Sequence, residues 1–382
     1  LGFEALAARR DSCFRNPKCE QMAFDPAKPF NDLPSLPPDV DIETKPVLKA
    51  CIAANKALAE LKGAGDLIPN QAMLINAIPL QEAQDSSAIE NIVTTKDKLF
   101  RAAGSSDSSV DPATKEVLRY RKALHQSADQ VKESGLTVEL LCQICSILRD
   151  RDLSVRDQES VFIGDRETNQ VVYTPPRGRD IITAKLGNLV GFLNDKNDGT
   201  DPLVKLAVSH YQFEAIHPFD DGNGRTGRIL NLLYLLDQDL LNIPVLYLSR
   251  YIIQNKSDYY RLLREVTEQQ EWENWLLYML DGIEQTANWT TDRIRAIRSL
   301  FETTLEEARD KLPKRVYSKE LIELIFVQPY VRIANLVDSG LGQRKAASEY
   351  LKSLEDAGFL VGEKVGREVV YRHPRLIDVL SK

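Results

Sequence analysis

The sequence predicts a mainly α-helical protein with one small β-hairpin in its middle and an α+β domain at its C-terminus. Apolar residues recur at helical spacing over long stretches, as they do from Leu48 to Leu61. Between Glu159 and Tyr173 the apolar pattern changes to period two, which is typical of a β-hairpin. After Pro313, short helical patterns are followed by strand patterns, which predicts a separate small domain.

Size and charge exclude several classes of protein. The 382 residues are too many for one ordinary domain, so we expect two or three. Apolar residues make up 43% and charged residues 27%, the composition of a soluble globular protein. The net charge of −7 argues against a protein whose whole surface binds nucleic acid or anionic membrane. The sequence shows no long apolar run, signal peptide or disulfide pattern, so we expect a cytoplasmic location and no membrane contact.

The first predicted domain, residues 1–110, combines an extended arm with short helices. Repeated prolines favour an extended conformation over residues 1–40. A helix is predicted from Lys45 to Lys62, ended by Gly63 and Gly65. Further helices are predicted at residues 71–77 and 86–99, before a Gly/Ser/Asp loop at residues 104–111.

The second predicted domain, residues 111–290, is a helical core. Pro112 and Pro202 stand where helices can start, and Thr137 can cap another helix. Residues 228–241 are apolar nearly all round, and a helix of that kind belongs in a protein core.

The third predicted domain, residues 291–382, ends in three short helices and two strands. This order is typical of a winged helix, a variant of helix-turn-helix. The helices are predicted at residues 319–326, 332–338 and 343–357, and the strands at residues 359–361 and 367–371.

The densest chemistry lies in the twelve residues from His217 to Arg228, which read HPFDDGNGRTGR. A helix is predicted to end at the histidine and another to begin near Arg225, and the start of a helix offers unpaired N–H groups and a positive dipole end. Gly222 and Gly224 allow the backbone to approach a ligand closely. The two arginines can add charge-assisted contacts, so the segment predicts a phosphate site.

Two side chains of the segment suit phosphate chemistry further. Asp221 beside a polyphosphate can hold Mg²⁺, which prefers carboxylate, water and phosphate oxygens. His217 can act as a general base near neutral pH.

Other interpretations of these residues are weaker. Residues 222–227 match G-x-G-x-x-G, but the dinucleotide fingerprint requires a preceding strand and a βαβ unit, and here a helix precedes. A plain glycine turn would not need the surrounding charged groups. His210, Glu214 and His217 have a spacing that a metal site can use, but a hydrogen-bonded core histidine is the preferred interpretation of His210.

The twelve-residue segment resembles the signature of Fic-domain proteins, H-x-F-x-[D/E]-G-N-G-R-x-x-R, at every fixed position. The resemblance extends over residues 110–285 and implies an all-α core with a β-hairpin. It also implies a protein adenylyltransferase that moves AMP from ATP to a Tyr, Thr or Ser hydroxyl of a target protein. Transfer of another phosphate-containing group, or removal of AMP, remains open.

The resemblance assigns roles residue by residue. His217 would accept the hydroxyl proton, and Asp221 would hold Mg²⁺ on the α- and β-phosphates. Asn223 would contact the α-phosphate, and Arg228 would bind the γ-phosphate. The remaining phosphate-loop contacts fall to Gly222, Gly224, Arg225, Thr226 and Gly227.

The resemblance also covers a flap and a tyrosine pair. The hairpin at residues 159–173 would present its edge to an extended target segment, with Val171, Val172 and Tyr173 near the adenine. A hairpin that only covers the core is the alternative. Tyr259 and Tyr260 would flank the base, although tyrosines also pack routinely in cores.

The residues Ser86-Ser87-Ala88-Ile89-Glu90-Asn91 resemble the family's inhibitory motif, [S/T]-x-x-x-E-[G/N]. Glu90 paired with Arg228 would occupy the arginine that the γ-phosphate needs. The resemblance therefore implies autoinhibition in cis, with Ser86 and Glu90 as the inhibitory residues. Alone, such a Ser and Glu are also ordinary helix-capping residues.

Residues 313–382 carry 12 Lys and Arg against 9 Asp and Glu, although the whole chain is acidic. The modest positive charge allows DNA binding, and protein contacts or homodimerisation explain it equally well. A transcriptional regulator whose Fic-like core senses nucleotide is therefore the second functional hypothesis.

Overall fold

The computed structural model of the chain describes residues 24–103, 110–157, 161–164, 170–365 and 368–381. Most of these residues are helical, with two small antiparallel sheets, which confirms the predicted fold class. The helices that precede the C-terminal region are α1 (Lys45–Asp66), α2 (Ala72–Ile75), α3 (Ile78–Ile89), α4 (Lys96–Ala103), α5 (Pro112–Ser134), α6 (Val138–Arg149), α7 (Arg179–Asn194), α8 (Pro202–Ile216), α9 (Asn223–Asp237), α10 (Leu248–Gln254), α11 (Lys256–Gln269) and α12 (Trp272–Lys311).

Helix α9 is the centre of the helical core. Its side chains are buried on nearly every face from Asn223 to Leu236, and it packs against α3, α5, α6 and α8. The apolar run in the sequence requires this position, because a helix that is apolar all round must be surrounded by other elements. The core therefore fixes the N-terminal end of α9 in place.

Local capping signals predict several helix starts correctly. Pro112 and Pro202 begin α5 and α8, and the Thr137 hydroxyl accepts the Leu140 N–H at 3.0 Å to cap α6. These signals succeed because each depends on a few neighbouring residues.

Two helix predictions in the first domain are wrong. Helix α1 continues through both Gly63 and Gly65 to Asp66, where tertiary packing on α12 outweighs the low helix propensity of glycine. The helix predicted at residues 86–99 is two helices, because α3 ends at Ile89 and α4 begins at Lys96.

Helix α12 is a 40-residue element that joins the core to the C-terminal region. It packs against α1, α8, α10, α11 and α13, and the domain boundary predicted at residue 290 lies inside it. None of the helices in the described ranges has the length and apolar character that spanning a membrane requires.

The hairpin consists of β1 (Ile163–Gly164) and β2 (Val171–Tyr173), which pair antiparallel, with Ile163 opposite Tyr173. The predicted turn lies outside the described residues. Phe24 and Phe30 of the N-terminal arm pack on the Tyr173 ring, so the arm covers the base of the hairpin. Residues 1–23 of the predicted arm also lie outside the described residues.

The C-terminal module, residues 319–381, has the element order predicted for a winged helix, with one additional strand and one additional helix. Its sheet is antiparallel with strand order β3-β5-β4. Its elements are α13 (Lys319–Val327), β3 (Tyr330–Val331), α14 (Ile333–Asp338), α15 (Arg344–Asp356), β4 (Val361–Val365), β5 (Glu368–Arg372) and α16 (Pro374–Ser381).

Candidate functional site

A sharp corner between α8 and α9 forms the candidate site. His217 directly follows α8 and adopts left-handed backbone angles (φ 48°, ψ 60°). Gly222 directly precedes α9 with a φ of 88°, a conformation that glycine adopts without strain. The corner therefore brings the histidine to the same end of the core as the N-terminus of α9.

Asn223 and Thr226 brace the corner from inside. The Asn223 amide accepts the Phe219 N–H at 2.8 Å and donates to the Phe219 carbonyl at 2.7 Å. The Thr226 hydroxyl donates to the Gly222 carbonyl at 2.8 Å. Both side chains are buried. Since the Asn223 side chain is engaged with the loop, the first-turn N–H groups of α9 are the donors that this segment offers to a phosphate.

His217 is held by Arg156, which lies between α6 and β1 and is not among the predicted site residues. The Arg156 Nε donates to the His217 carbonyl at 2.8 Å, and its Nη2 donates to the Pro176 carbonyl at 2.6 Å. Burial, together with the Arg156 guanidinium, lowers the pKa of His217 to about 4. Its Nδ1 is buried and has no hydrogen-bond partner among the described residues. The imidazole is therefore neutral at physiological pH, the form that a general base requires.

Arg228 is paired with the predicted inhibitory residues. Its Nε donates to the Ser86 hydroxyl at 2.7 Å, and its Nη2 donates to the Ser86 carbonyl and to Glu90 Oε1, both at 2.8 Å. The Arg228 side chain is only 3% exposed. Charge-assisted bonds in such a buried position are strong, so a ligand anion must displace Glu90 to use this arginine fully.

The end of α3 explains the residue pattern of the predicted inhibitory motif. Glu90 is the C-cap of the helix, and Asn91 follows in the left-handed region with φ 66°. The Asn91 and Ile92 N–H groups donate to the Ala88 and Ser87 carbonyls, both at 3.0 Å, which is the Schellman arrangement. The position after the glutamate suits Asn or Gly because those residues adopt positive φ most readily.

Gly224 permits the close approach of Glu90 to α9. A Cβ atom at residue 224 would lie 2.6 Å from Glu90 Oε1 and 2.8 Å from Arg228 Nη1. Any larger residue therefore forces the glutamate–arginine pair to shift.

A series of ion pairs connects Glu90 to Asp221. Glu90 Oε2 accepts Arg225 Nε at 2.8 Å, and Glu116 Oε1 accepts Arg225 Nη1 at 2.5 Å. Arg149 Nη1 then lies 3.1 Å from Glu116 Oε1 and 2.9 Å from Asp221 Oδ2. The Arg225 side chain is 1% exposed, so the carboxylates balance a charge that water does not reach.

Asp221 is the residue predicted to hold Mg²⁺. Its side chain is half exposed, and it lies next to the start of α9. The described residues contain no group of three or more His, Cys, Asp and Glu side chains that would hold a metal by themselves. One accessible carboxylate beside the predicted phosphate site nevertheless fits Mg²⁺, which usually takes one or two protein carboxylates, water and substrate phosphates.

The hairpin and tyrosine residues have mixed surroundings. The Tyr173 hydroxyl donates to the Ala215 carbonyl at 2.8 Å, while Val171 and Val172 are half-buried. The Tyr259 hydroxyl lies 2.9 Å from His210 Nε2 and its ring is buried, whereas Tyr260 is 49% exposed. Phe24 and Phe30 pack on the Tyr173 ring, and His210 and Trp275 pack on the Tyr259 ring, so Tyr260 is the exposed ring among these tyrosines.

Two other titratable groups of α8 are buried next to the site. His210 bonds Tyr259 and Asn231 and stacks on Trp275, and its pKa is lowered to about 3 by burial. It is the hydrogen-bonded core histidine that the sequence analysis prefers over a metal ligand. Burial raises the pKa of Glu214 to about 7, and its Oε1 has no hydrogen-bond partner in the described part of the chain.

Sequence reasoning misses Glu116, Arg149 and Arg156. They lie on or next to helices far along the chain from the signature segment, for example 109 positions from Arg225 in the case of Glu116. No spacing rule within one helix connects them to it. Charged residues at half-buried positions of α5 and α6 are the sequence signal that points to the first two.

The family comparisons agree with this geometry. The Fic/DOC family model matches residues 135–235, the Fic/DOC family N-terminal model matches residues 48–129, and a model described as the SoFic-like protein adenylyltransferase C-terminal domain matches residues 300–376. The chain therefore contains Fic/DOC family domains over residues 48–129 and 135–235.

Curated relatives carry related names. A protein adenylyltransferase of Caenorhabditis briggsae is 32% identical over 109 residues, covering 28% of this chain and 20% of that protein. A probable protein adenylyltransferase of Aquifex aeolicus is 34% identical over 110 residues, covering 28% and 31%. The protein adenylyltransferase Fic of Drosophila melanogaster is 25% identical over 219 residues, covering 52% and 43%. The chain thus spans less than half the length of these relatives.

A solved structure shares the fold over nearly the whole chain. The crystal structure of a Fic family protein from Desulfovibrio desulfuricans superimposes with a TM-score of 0.55 at 19% identity. The superposition covers 86% of this chain and 96% of that one.

Proposed function

We propose that this protein is an adenylyltransferase that moves AMP from ATP to a hydroxyl side chain of a target protein and that Glu90 restrains it. The observation that carries the proposal is the corner of α8 and α9, where a neutral His217 meets the start of a helix whose arginines are held by Glu90. The names of the curated relatives support the same reaction.

The reaction breaks a phosphoanhydride bond of ATP and forms a phosphoester bond to the target hydroxyl. The target hydroxyl oxygen forms a bond to the α-phosphorus as its proton passes to the His217 imidazole. The bond from the α-phosphorus to the β-phosphate oxygen breaks, and pyrophosphate leaves with that electron pair. Positioning and charge neutralisation supply most of the catalysis in this kind of transfer.

The start of α9 would bind the phosphates. Its N–H groups and the residues Gly222 to Gly227 line one side, and Arg228 would take the γ-phosphate once Glu90 has moved. Asp221 would hold Mg²⁺, which when bound neutralises the developing charge on the phosphate oxygens. The half-buried Val171 and Val172 and the exposed Tyr260 would contact the adenine, and the buried rings of Tyr173 and Tyr259 would support these residues.

The substrate protein would dock on the hairpin. An extended segment that pairs with the edge of β1 or β2 would present its hydroxyl by main-chain hydrogen bonds. A cytoplasmic location, homodimerisation, a winged-helix assignment for the C-terminal module and its binding to DNA or protein remain predictions.

A labelling experiment tests the reaction. Purified protein is incubated with Mg²⁺ and ATP labelled with ³²P at the α or, separately, the γ position, alone and with a cell extract. We expect protein-bound label only from the α position, more of it with Glu90→Gly, and none with Glu90→Gly/His217→Ala. Glu60→Gln, an exposed glutamate on α1, is the control for loss of a carboxylate. Label from the γ position alone would show a kinase and contradict the proposal.

A further inference from the structure

The inhibitory glutamate lies between α9 and the C-terminal module, which are far apart in the sequence. On one side Glu90 bonds Arg225 and Arg228 of α9. On the other side only residues 91–95 separate it from α4, and α4 is attached to the C-terminal module. Helix α4 therefore links the module to the end of α3.

The contacts between α4 and the module, which we call the clasp, come from both polar and aromatic groups. The Tyr330 hydroxyl of β3 donates to the Asp97 carboxylate. The Arg101 Nη2 lies 2.5 Å from Glu363 Oε2 of β4, and the Arg332 Nη2 donates to the Arg101 carbonyl at 3.1 Å. These contacts join positions more than 230 residues apart in the chain.

Aromatic packing anchors the clasp. The rings of Phe100 and Tyr330 are stacked with centroids 6.5 Å apart, and both residues are about 95% buried. Arg101 lies over the Tyr330 ring at 5.6 Å and also pairs with Asp97 at 2.7 Å. An exposed ion pair alone would contribute little, but buried rings with a shared arginine hold α4 firmly.

The junction between α3 and α4 transmits this attachment. The Gln84 side chain of α3 donates to the Thr94 carbonyl at 2.7 Å, and the Thr94 hydroxyl lies 2.6 Å from the Thr114 hydroxyl of α5. The Lys256 Nζ donates to the Ile89 carbonyl at 2.6 Å, directly before Glu90. The junction is short, and hydrogen bonds fix it at Thr94 and at Ile89, so it has little conformational freedom. The position of α4 therefore constrains the position of Glu90.

We propose that the C-terminal module sets the strength of the Glu90 inhibition by holding α4 through the clasp. Binding to the module, or any change that loosens the clasp, shifts the population toward a state in which Glu90 has left Arg228. This inference rests on the proposed function for its consequence in activity, but its structural part is independent of it.

The test variant is Arg101→Met/Tyr330→Phe in the full chain. It removes the ion pairs with Asp97 and Glu363 and the tyrosine hydroxyl, while it keeps the apolar stem and the buried ring. The control is Arg298→Met, which removes an exposed arginine that pairs with Glu302 of its own helix at 2.9 Å.

The first measurement is amide hydrogen exchange without nucleotide. We expect exchange in residues 86–95 to become about fivefold faster in the clasp variant than in the wild type and the control, because local opening now requires fewer contacts to break. Unchanged exchange in residues 86–95 would overturn the inference, whether or not exchange in α4 itself rises.

The second measurement is transfer of α-label from ATP. We expect the clasp variant to raise transfer about fivefold in the wild-type background and to change nothing when Glu90→Gly is already present. An equal rise in both backgrounds would overturn the inference. If Glu90→Gly itself shows no α-label transfer, the proposed function has failed, and the exchange measurement still decides the structural part.

Discussion

Glu116 Oε1 lies 2.5 Å from Arg225 Nη1, while Glu90 Oε2 holds the Nε of the same buried guanidinium. Under the proposed function Glu90 leaves Arg228 when the γ-phosphate binds, whereas Glu116 belongs to α5 and stays in place. Arg225 therefore keeps one carboxylate partner in both states, which avoids the cost of a buried, unpaired charge.

Glu116→Gln should lower the free energy of unfolding by about 2 kcal/mol, because hydrogen bonds to charged groups contribute about 1.5–3 kcal/mol. Urea denaturation measures the loss, and Glu133→Gln, an exposed position on the same helix, is the control. Equal stability of the two variants would show that Glu116 does not hold Arg225.

Gly224→Ala should be destabilising because its Cβ would lie 2.6 Å from Glu90 Oε1. The cost should fall by at least about 0.5 kcal/mol in the Glu90→Gly background, where the nearest clash has been removed. Denaturation of the two single variants and the double variant gives this coupling. Strictly additive costs would contradict the close approach of Glu90 to α9.

The pH dependence of transfer should reflect the lowered pKa of His217. A base with a pKa of about 4 stays neutral as the pH falls from 7 to 5.5, so activity in the Glu90→Gly variant should be nearly constant over this range. An ordinary histidine would lose half its activity near pH 6.5. A rate–pH profile that falls with an apparent pKa near 6.5 would contradict burial of the imidazole.

The same depressed pKa affects stability. In the unfolded chain His217 binds a proton near pH 6.5, whereas in the folded protein it stays neutral down to about pH 4. The neutral, buried His217 therefore contributes its full stabilisation above pH 6.5, and this stabilisation is lost as the pH falls toward 4. Comparing His217→Gln with the parent at pH 7 and pH 5 by urea denaturation measures this contribution. The parent should lose more stability than the variant between the two values.

Arg156→Met should lower the rate of transfer at saturating ATP by about tenfold or more and leave the KM for ATP nearly unchanged. The guanidinium bonds the carbonyl of His217, so its loss misplaces the base. Steady-state kinetics in the Glu90→Gly background test this, with the exposed Arg151→Met as control. A rise in KM alone would assign Arg156 to nucleotide binding instead.

Sequence reasoning succeeds where a feature depends on neighbouring residues. The caps at Pro112, Thr137 and Pro202 and the all-apolar helix α9 are local patterns, and the structure has them. The signature segment is also contiguous, so its two arginines and His217 are recognised together.

Features that depend on tertiary packing are not predicted. The helical patterns before and after residue 90 merge in the sequence, but the left-handed Asn91 ends α3, and α4 begins only at Lys96. Helix α1 continues through Gly63 and Gly65 because it packs against α12. The 40-residue length of α12 depends on its packing partners, which the sequence does not show. Glu116, Arg149 and Arg156 reach the site from other elements, so their position follows from the fold alone.

The most direct test of the central claim is the amount of α-label transferred by three proteins in parallel: wild type, Glu90→Gly and Glu90→Gly/Arg228→Met. The structure pairs Glu90 with Arg228 at 2.8 Å, so we expect little transfer from the wild type. Transfer should rise at least tenfold with Glu90→Gly and fall back when Arg228 is also removed, because a charge-assisted bond to the nucleotide is then lost. Wild-type transfer equal to that of Glu90→Gly would contradict the account.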